Sequence, residues 1–509
     1  MTSVGQTRRN FATTVIGFVL SIGIGIWFTP FLVHQLGPAA YGLIPLATTI
    51  VSYFSIITQT LSASLNRNLT FALEHNDPER ASVAFGSALA GAGALAFLLA
   101  VPLAGVAWFS TSLFDVPPGA ETATRLLFAF VAAAFVLSVL STPFQGIVFS
   151  RNRLDLSNIS AAIQTITRVA LTIALFGAFT ATVVNAATAI LASAVIGIVL
   201  SMVFARRAAP HLAFFTFAYE AKEFRSISGI ASKVLIMQIG TILVGSSELV
   251  LANKLFGAHL AGHYAAVSQW SLFLRNGATS VAVLCVPTIL TLYARSQPRE
   301  LVSYTRTAMK FMAICVALPA GYLCGLSDQI LHVWLGPDFV SYWPLMVVQI
   351  APIAITSTVV PLYTISLAAD RVMLSGLIQL VTGAIGVAIA LLIGAHSALG
   401  ILGVAGAVGL SLAIKELVFL IPYAASNIEQ PRSTFYPPML VAAALFGISC
   451  VGAITIGKLF VFHNMLGLAI AGFSLAIGYC VAAYFLLDRD ERAMVRAFIS
   501  TRAIKAGGA

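Results

Sequence analysis

Charge is scarce in this 509-residue chain: Asp, Glu, Lys and Arg make up 9% of it, against 59% hydrophobic residues. With a mean hydropathy of +0.95, that composition lies far outside the range of soluble globular domains. Cysteine is scarce too. Cys285, Cys315, Cys324, Cys450 and Cys480 all lie in apolar stretches, are odd in number and form no C-x-x-C pair, so neither a disulfide framework nor a zinc site is expected. Long hydrophilic segments are also missing; the longest lie around 64–81, 206–228 and 293–306 and leave no room for a soluble catalytic domain. There is no G-x-x-x-x-G-K-[ST] loop for a nucleotide, and HLAGH at 259–263 lacks the glutamate of a zincin helix, so it reads as an interfacial loop or a helix start. The chain is therefore expected not to be an enzyme, and to hold no metal and no cofactor, with H+ or Na+ as a possible coupling ion.

Apolar runs are what the chain has in abundance. Fourteen are long enough to cross a hydrocarbon layer of ~30 Å as helices of ~20 residues. Their limits are 11–33, 41–63, 82–109, 122–150, 155–179, 181–205, 229–252, 262–292, 307–327, 339–367, 372–395, 400–424, 436–458 and 463–487, numbered here as spans 1 to 14. The runs are continuous and rich in Leu, Ala, Ile and Gly, without the period-two alternation of barrel strands. The expectation is an all-α integral membrane protein with 14 transmembrane helices.

Lysine and arginine set its orientation. With a cytoplasmic amino terminus, 21 of the 28 basic residues fall in inside segments or at the inner ends of spans, only Arg125, Lys254 and Lys458 fall outside or at outer span ends, and Arg168, Lys233, Arg275 and Lys415 lie deeper within spans. Both termini are thus expected on the cytoplasmic side of a cytoplasmic (inner) membrane. The net charge of +10 is mostly this bias and needs no nucleic-acid partner. The run after Thr7-Arg8-Arg9 is too long for a signal-peptide core and reads as the first membrane helix.

The sequence is internally duplicated. PFQGIVFSRNRLDLS (143–157) and PLYTISLAADRVMLS (361–375) match at Pro143 and Pro361, Arg153 and Arg371, Leu156 and Leu374, and Ser157 and Ser375, all 218 apart. QLGPAAYG (35–42) recurs as LFGAHLAG (255–262), with Gly37 and Gly42 displaced by 220 to Gly257 and Gly262. Spans 1–6 thus pair with spans 7–12. Six is even, so both halves enter the membrane from the same side, related by an axis along its normal. The expected organisation is an N-lobe (1–205), an amphipathic cytoplasmic linker (206–228), a C-lobe (229–424) and a final segment (425–509) with spans 13 and 14.

LG-x-x-x-YG at 36–42, SASLNRNLTFALEHND closing span 2, PFQG-x-x-x-S-x-NRLDLSN entering span 5, and WLG-x-x-F at 334–339 together resemble the polysaccharide-repeat-unit flippases of the multidrug/oligosaccharidyl-lipid/polysaccharide exporter superfamily. The resemblance covers the whole chain. It implies two six-helix lobes around a cavity, moving a polyprenyl-pyrophosphate-linked oligosaccharide to the outer leaflet by alternating access, with spans 13 and 14 forming a groove for the lipid tail. Membrane lipid and a glycan polymerase complex are the partners it implies. Its rivals are a cation-coupled multidrug antiporter, which has twelve spans and a carboxylate in the first lobe; a lipid II flippase, which carries an arginine inside span 1; and a membrane-embedded glycan polymerase or ligase, which has a long basic outer loop. Here there are fourteen spans, no central acid in spans 1–6, no arginine within span 1, and short outer loops nearly free of basic residues.

Charges inside the spans lead to the same cargo class. An arginine at mid-helix costs ~2.5 kcal/mol or more, and Arg168 lies about fourteen residues, ~21 Å, along span 5, too deep to reach the interface. It is expected to face the interior, as are Arg275, Lys233 and Lys415; Arg67 closes span 2. Such a set would bind an anionic headgroup such as a pyrophosphate through charge-assisted bonds. Away from their ends the spans offer two carboxylates, Glu248 and Glu416, as possible ion-coupling sites. Glu248 is expected to pair with Lys254 or with a cation across the lobes. Adjacent helix positions point about 100° apart, so Lys415 and Glu416 are not expected to cancel. Gln59, Asn66, Gln145, Gln164 and Gln238 are candidates for sugar hydroxyls, and the glycines of GILGVAGAVG (400–409) for close helix packing. Pro30 and Pro287 are candidate hinges.

Overall fold

The computed structural model describes the backbone of residues 3–74, 78–210, 221–486 and 492, and their side chains except those of 3–4, 7–8, 11, 56–57, 59–74, 78–80 and 221–246. Within that extent the chain is helical throughout. The first half comprises α1 (Ser3–Leu36), α2 (Pro38–Glu74), α3 (Pro78–Leu113), α4 (Glu121–Ser150), α5 (Leu154–Ala178) and α6 (Val183–Ala208). Helix α7 (Ala221–Ala282) is two helices joined at Gly257, whose φ of 83° lies in the left-handed region that glycine enters freely. A 3₁₀ turn (Val283–Cys285) leads into α8 (Val286–Ala294), with Pro287 in its first turn. Then follow α9 (Pro298–Gly325), α10 (Ser327–Leu335), α11 (Trp343–Thr358), α12 (Val360–Ala368), α13 (Val372–His396), α14 (Gly400–Lys415), a π-helix (Glu416–Leu420), α15 (Ile421–Ser426), α16 (Pro437–Leu459) and α17 (Met465–Leu486).

Twelve spans long and apolar enough to cross a membrane lie among the described residues; the other two of the fourteen fall on α2 and on α7 before its kink. A helix closes its backbone hydrogen bonds on itself, which is why apolar runs take this form in lipid. Helices α1, α2 and α3, of 34, 37 and 36 residues, would be about 50 Å long and project past a hydrocarbon layer of ~30 Å. The outward face of α3 carries bare Phe97, Leu98, Val101 and Trp108, as a lipid-facing surface requires.

The chain forms two compact units, residues 1–266 with 379–387, and residues 267–378 with 388–509. In the first, α4 packs against α2, α3 and α6, and α5 lies along α1 and α6. In the second, α9 is central, flanked by α11 and α16, while α14 packs on α11. The glycines of 400–409 do face close neighbours: a methyl group on Gly409 would lie 3.2 Å from Pro352, and one on Gly403 would overlap Ile393.

The repeat is visible in the backbone. Left-handed conformations fall at matching positions: Gly37 and Gly257 (φ 76° and 83°), Gly119 and Gly336 (80° and 103°), Asn152 and Asp370 (52° and 53°). Within the first unit, Gly42 meets its own repeat mate, a built Cβ on Gly42 lying 2.6 Å from the Gly262 Cα. Beside it, Asp115 accepts a bond from the Ala258 N–H (2.7 Å), and Asn253 brackets the Asp115 backbone, accepting from its N–H (2.9 Å) and donating to its carbonyl (3.0 Å). The His259–His263 pair sits in the helical turn after the kink, rings 4.6 Å apart.

Candidate functional site

Arg275 lies on the second segment of α7, half-buried between Leu274, which is covered, and Asn276, which is exposed. Its carbonyl accepts a bond from Thr279 at 2.9 Å. The guanidinium has no hydrogen-bond or ion-pair partner among the described residues.

Arg168 stands on a stripe of α5 in which Ser160, Gln164, Arg168 and Thr172 follow at intervals of four, so they share one face. Ser160 and Thr172 are 6% and 1% exposed, which turns that face inward. Arg168 Nε is shielded and bonds nothing, and no carboxylate pairs with it among the described residues. Gln164 donates to Ser160 at 3.2 Å and Gln145 to Ser141 at 2.8 Å.

Lys415 and Glu416 correct the expectation that they cannot cancel. They are 6% and 4% exposed, and Lys415 Nζ lies 2.9 Å from Glu416 Oε1. The Tyr363 hydroxyl joins them, accepting from Lys415 at 2.6 Å and donating to Glu416 Oε1 at 2.7 Å. The angular argument applies to short side chains on a regular helix. Here a four-carbon stem spans the offset, Glu416 opens a wide π-turn that re-aims its carboxylate, and in an apolar interior neither charge could stay apart at tolerable cost. Glu416 Oε2 remains buried without a partner. The same residue pair thus leaves the cationic set and becomes an internally balanced site.

Glu248 takes a hydrogen bond from the Tyr264 hydroxyl, a partner not foreseen in sequence. Arg67, Lys233, Gln59, Asn66 and Gln238 have side chains outside the described residues. No cluster of three or more His, Cys, Asp or Glu suited to a metal occurs among the described residues. The structure also brings together a polar knot that sequence reasoning missed. Asp155, 0% exposed, accepts from Arg9 (2.9 Å), Arg153 (3.0 Å) and Gln6 (2.9 Å), while Asn10 bonds the left-handed Asn152 and the Asp155 N–H. It ties the start of α1 to the α4–α5 turn. The spacing of Gln6 and Asn10, one helical turn apart ahead of an apolar run, was the available signal.

No family model matches the sequence. The fold is that of solved membrane transporters. It is similar to the lipid II flippase MurJ in its inward closed conformation (TM-score 0.69, 12% identity, covering 93% of this chain and 98% of that one). It is also similar to the inward-facing conformation of a multidrug resistance MATE family transporter of the MOP superfamily (TM-score 0.66, 12% identity, 81% and 94%). In sequence the chain is 30% identical over 495 residues to the uncharacterized membrane protein EpsK of Bacillus subtilis (strain 168), covering 96% of each. End-to-end likeness at that level makes this chain a member of the EpsK membrane-protein family.

Proposed function

We propose that the protein is a flippase that carries a polyprenyl-pyrophosphate-linked oligosaccharide from the inner to the outer leaflet by alternating access, for cell-surface polysaccharide synthesis. The observation that carries this reading is the guanidinium of Arg275, half-buried in a membrane-spanning helix and without a partner among the described residues. A permanent cation costs several kcal/mol there, a cost met when an anionic cargo headgroup supplies the counter-charge. The span count adds support: the MurJ likeness extends over 93% of the chain and the MATE likeness over 81%, in keeping with two helices beyond a twelve-helix core. We place both termini in the cytoplasm on the lysine and arginine bias. Glu416, whose Oε2 is buried and unpaired, is our candidate for H+ or Na+ coupling.

Purified protein in liposomes should move lipid-linked oligosaccharide between leaflets without changing its mass. New glycosidic or phosphate bonds seen by mass spectrometry would move the protein to the polymerase class, and absence of movement would remove the flippase reading. Sidedness is tested separately by an impermeant thiol reagent on Ser112→Cys, an exposed position, in a background without native cysteines. Labelling in intact cells supports the orientation; labelling only after lysis reverses it.

A further inference from the structure

We propose that the first unit holds a binding site for a phosphate-class oxyanion between α4, α5 and α6, anchored by Arg168. A cavity of about 90 Å³ lies among these three helices, with Gln145, Ser157, Ser160, Gln164 and Ser201 supplying its polar lining. The α5 residues of that lining recur every three or four positions, and the next residue on their face is Arg168, about 6 Å further along the axis. Three features then select the ligand.

The first is charge. A guanidinium cannot release its proton, Arg168 Nε is buried without a partner, and no carboxylate offsets it among the described residues. The second is the balance of donors. The Gln164 and Gln145 amides each spend one N–H on a serine hydroxyl, at 3.2 and 2.8 Å, and each NH₂ has a second to give. The lining itself contains no acid, so it disfavours a cation and suits an acceptor-rich oxyanion held also by the guanidinium fork. The third is size. At ~30 Å³ of liquid per water, 90 Å³ corresponds to about three waters, room for a phosphate group and too little for an oligosaccharide. Gly197 keeps it open, since a Cβ there would lie 2.5 Å from the Gln164 carboxamide and push it aside.

The site is distinct from the cargo reading, which Arg275 carries. Its phosphate could be inorganic or belong to a lipid headgroup. To separate these, full-length protein in a phosphate-free detergent is examined by native mass spectrometry, then delipidated and titrated with inorganic phosphate while its thermal unfolding midpoint is followed. Stoichiometric phospholipid that survives extraction from the parent protein and is missing from Arg168→Gln identifies the lipid source. A saturable rise in midpoint with phosphate but not with chloride, in protein that carries no lipid, identifies the free ion.

In either case Arg168→Lys should bind about ten-fold or more weakly. Ser160→Leu, which fills the cavity, should abolish binding, and Lys458→Gln, an exposed charge change, should leave it intact. If Arg168→Gln does not fold, the lysine and leucine variants decide. Binding unchanged in both, or no phosphate and no phospholipid bound by the parent protein, overturns the proposal.

Discussion

Lys415 in the second unit and Arg168 in the first are both cations on membrane-spanning helices, yet Lys415 has a carboxylate at 2.9 Å and a tyrosine hydroxyl at 2.6 Å, whereas Arg168 Nε has neither. The two arrangements differ in what removal does. Deleting one member of a balanced buried pair leaves the other charge stranded, which costs far more than the pair contributes. Deleting a cation that has no partner strands nothing. Stability measurements therefore separate charges that hold the fold from charges that await a ligand, whatever the cargo is.

The largest effect is expected at Glu416. Glu416→Leu should destabilise the protein by about 3–5 kcal/mol by isolating the Lys415 ammonium, seen as a collapse in membrane abundance and in the unfolding midpoint of the purified protein. The double change Lys415→Leu, Glu416→Leu should recover most of the loss, since the coupling between contacting residues is non-additive. An unaffected single variant would mean that the ion pair is not the organising contact and that the contrast with Arg168 is false.

Tyr363→Phe should cost less, about 1–3 kcal/mol, because it removes the bridging hydroxyl but leaves the charges 2.9 Å apart. A loss as large as that of Glu416→Leu would place the hydroxyl, and not the ion pair, at the centre of the site. Next comes the matching pair of turns, α4–α5 and its repeat mate α12–α13. Asp155→Ala should cost about 1 kcal/mol, kept modest because Arg9 and Arg153 are 46% and 33% exposed and can turn to water. Met373, the residue 218 positions on, is 66% exposed. Met373→Ala should stay within about 0.5 kcal/mol. Equal losses at the two positions, read as unfolding midpoints, would show that the knot around Asp155 has no stabilising role special to the first turn.

What could be read in the sequence follows from the range of each interaction. Spans are set by twenty-residue apolar runs and are local, so their number and limits were legible. The repeat was legible because glycines such as Gly37 and Gly257 answer a backbone demand, φ near 80°, that few other residues meet. Side-chain partnerships across helices were not. Tyr363 precedes Glu416 by 53 positions, and Asp155 finds Gln6 from 149 away; nothing in a linear pattern ties them. The rule used for Lys415 and Glu416 presumed a regular helix, and the π-turn that breaks it has no signature in ELVFL. Arg168 and Arg275 were legible as anomalies because a cation inside an apolar run is costly whatever surrounds it.

Stability should suffer least at Arg275, where the proposed function stands or falls. Arg275→Gln removes a charge that bonds no described group and strands none, so membrane abundance should not fall below that of the parent. Movement of lipid-linked oligosaccharide in liposomes should nevertheless fall sharply, because the pyrophosphate loses its counter-charge. Arg275→Lys should keep part of the activity: a point charge still attracts phosphate, but the forked pair of hydrogen bonds is gone. The graded order Arg, Lys, Gln in transport, at constant abundance, is a pattern that a structural residue does not give. If Arg275→Gln vanishes from the membrane as Glu416→Leu does, Arg275 belongs with the balanced charges and its counter-ion lies within the protein. If it is abundant and transports at the parent rate, the cationic route for the headgroup is wrong, whatever the fold.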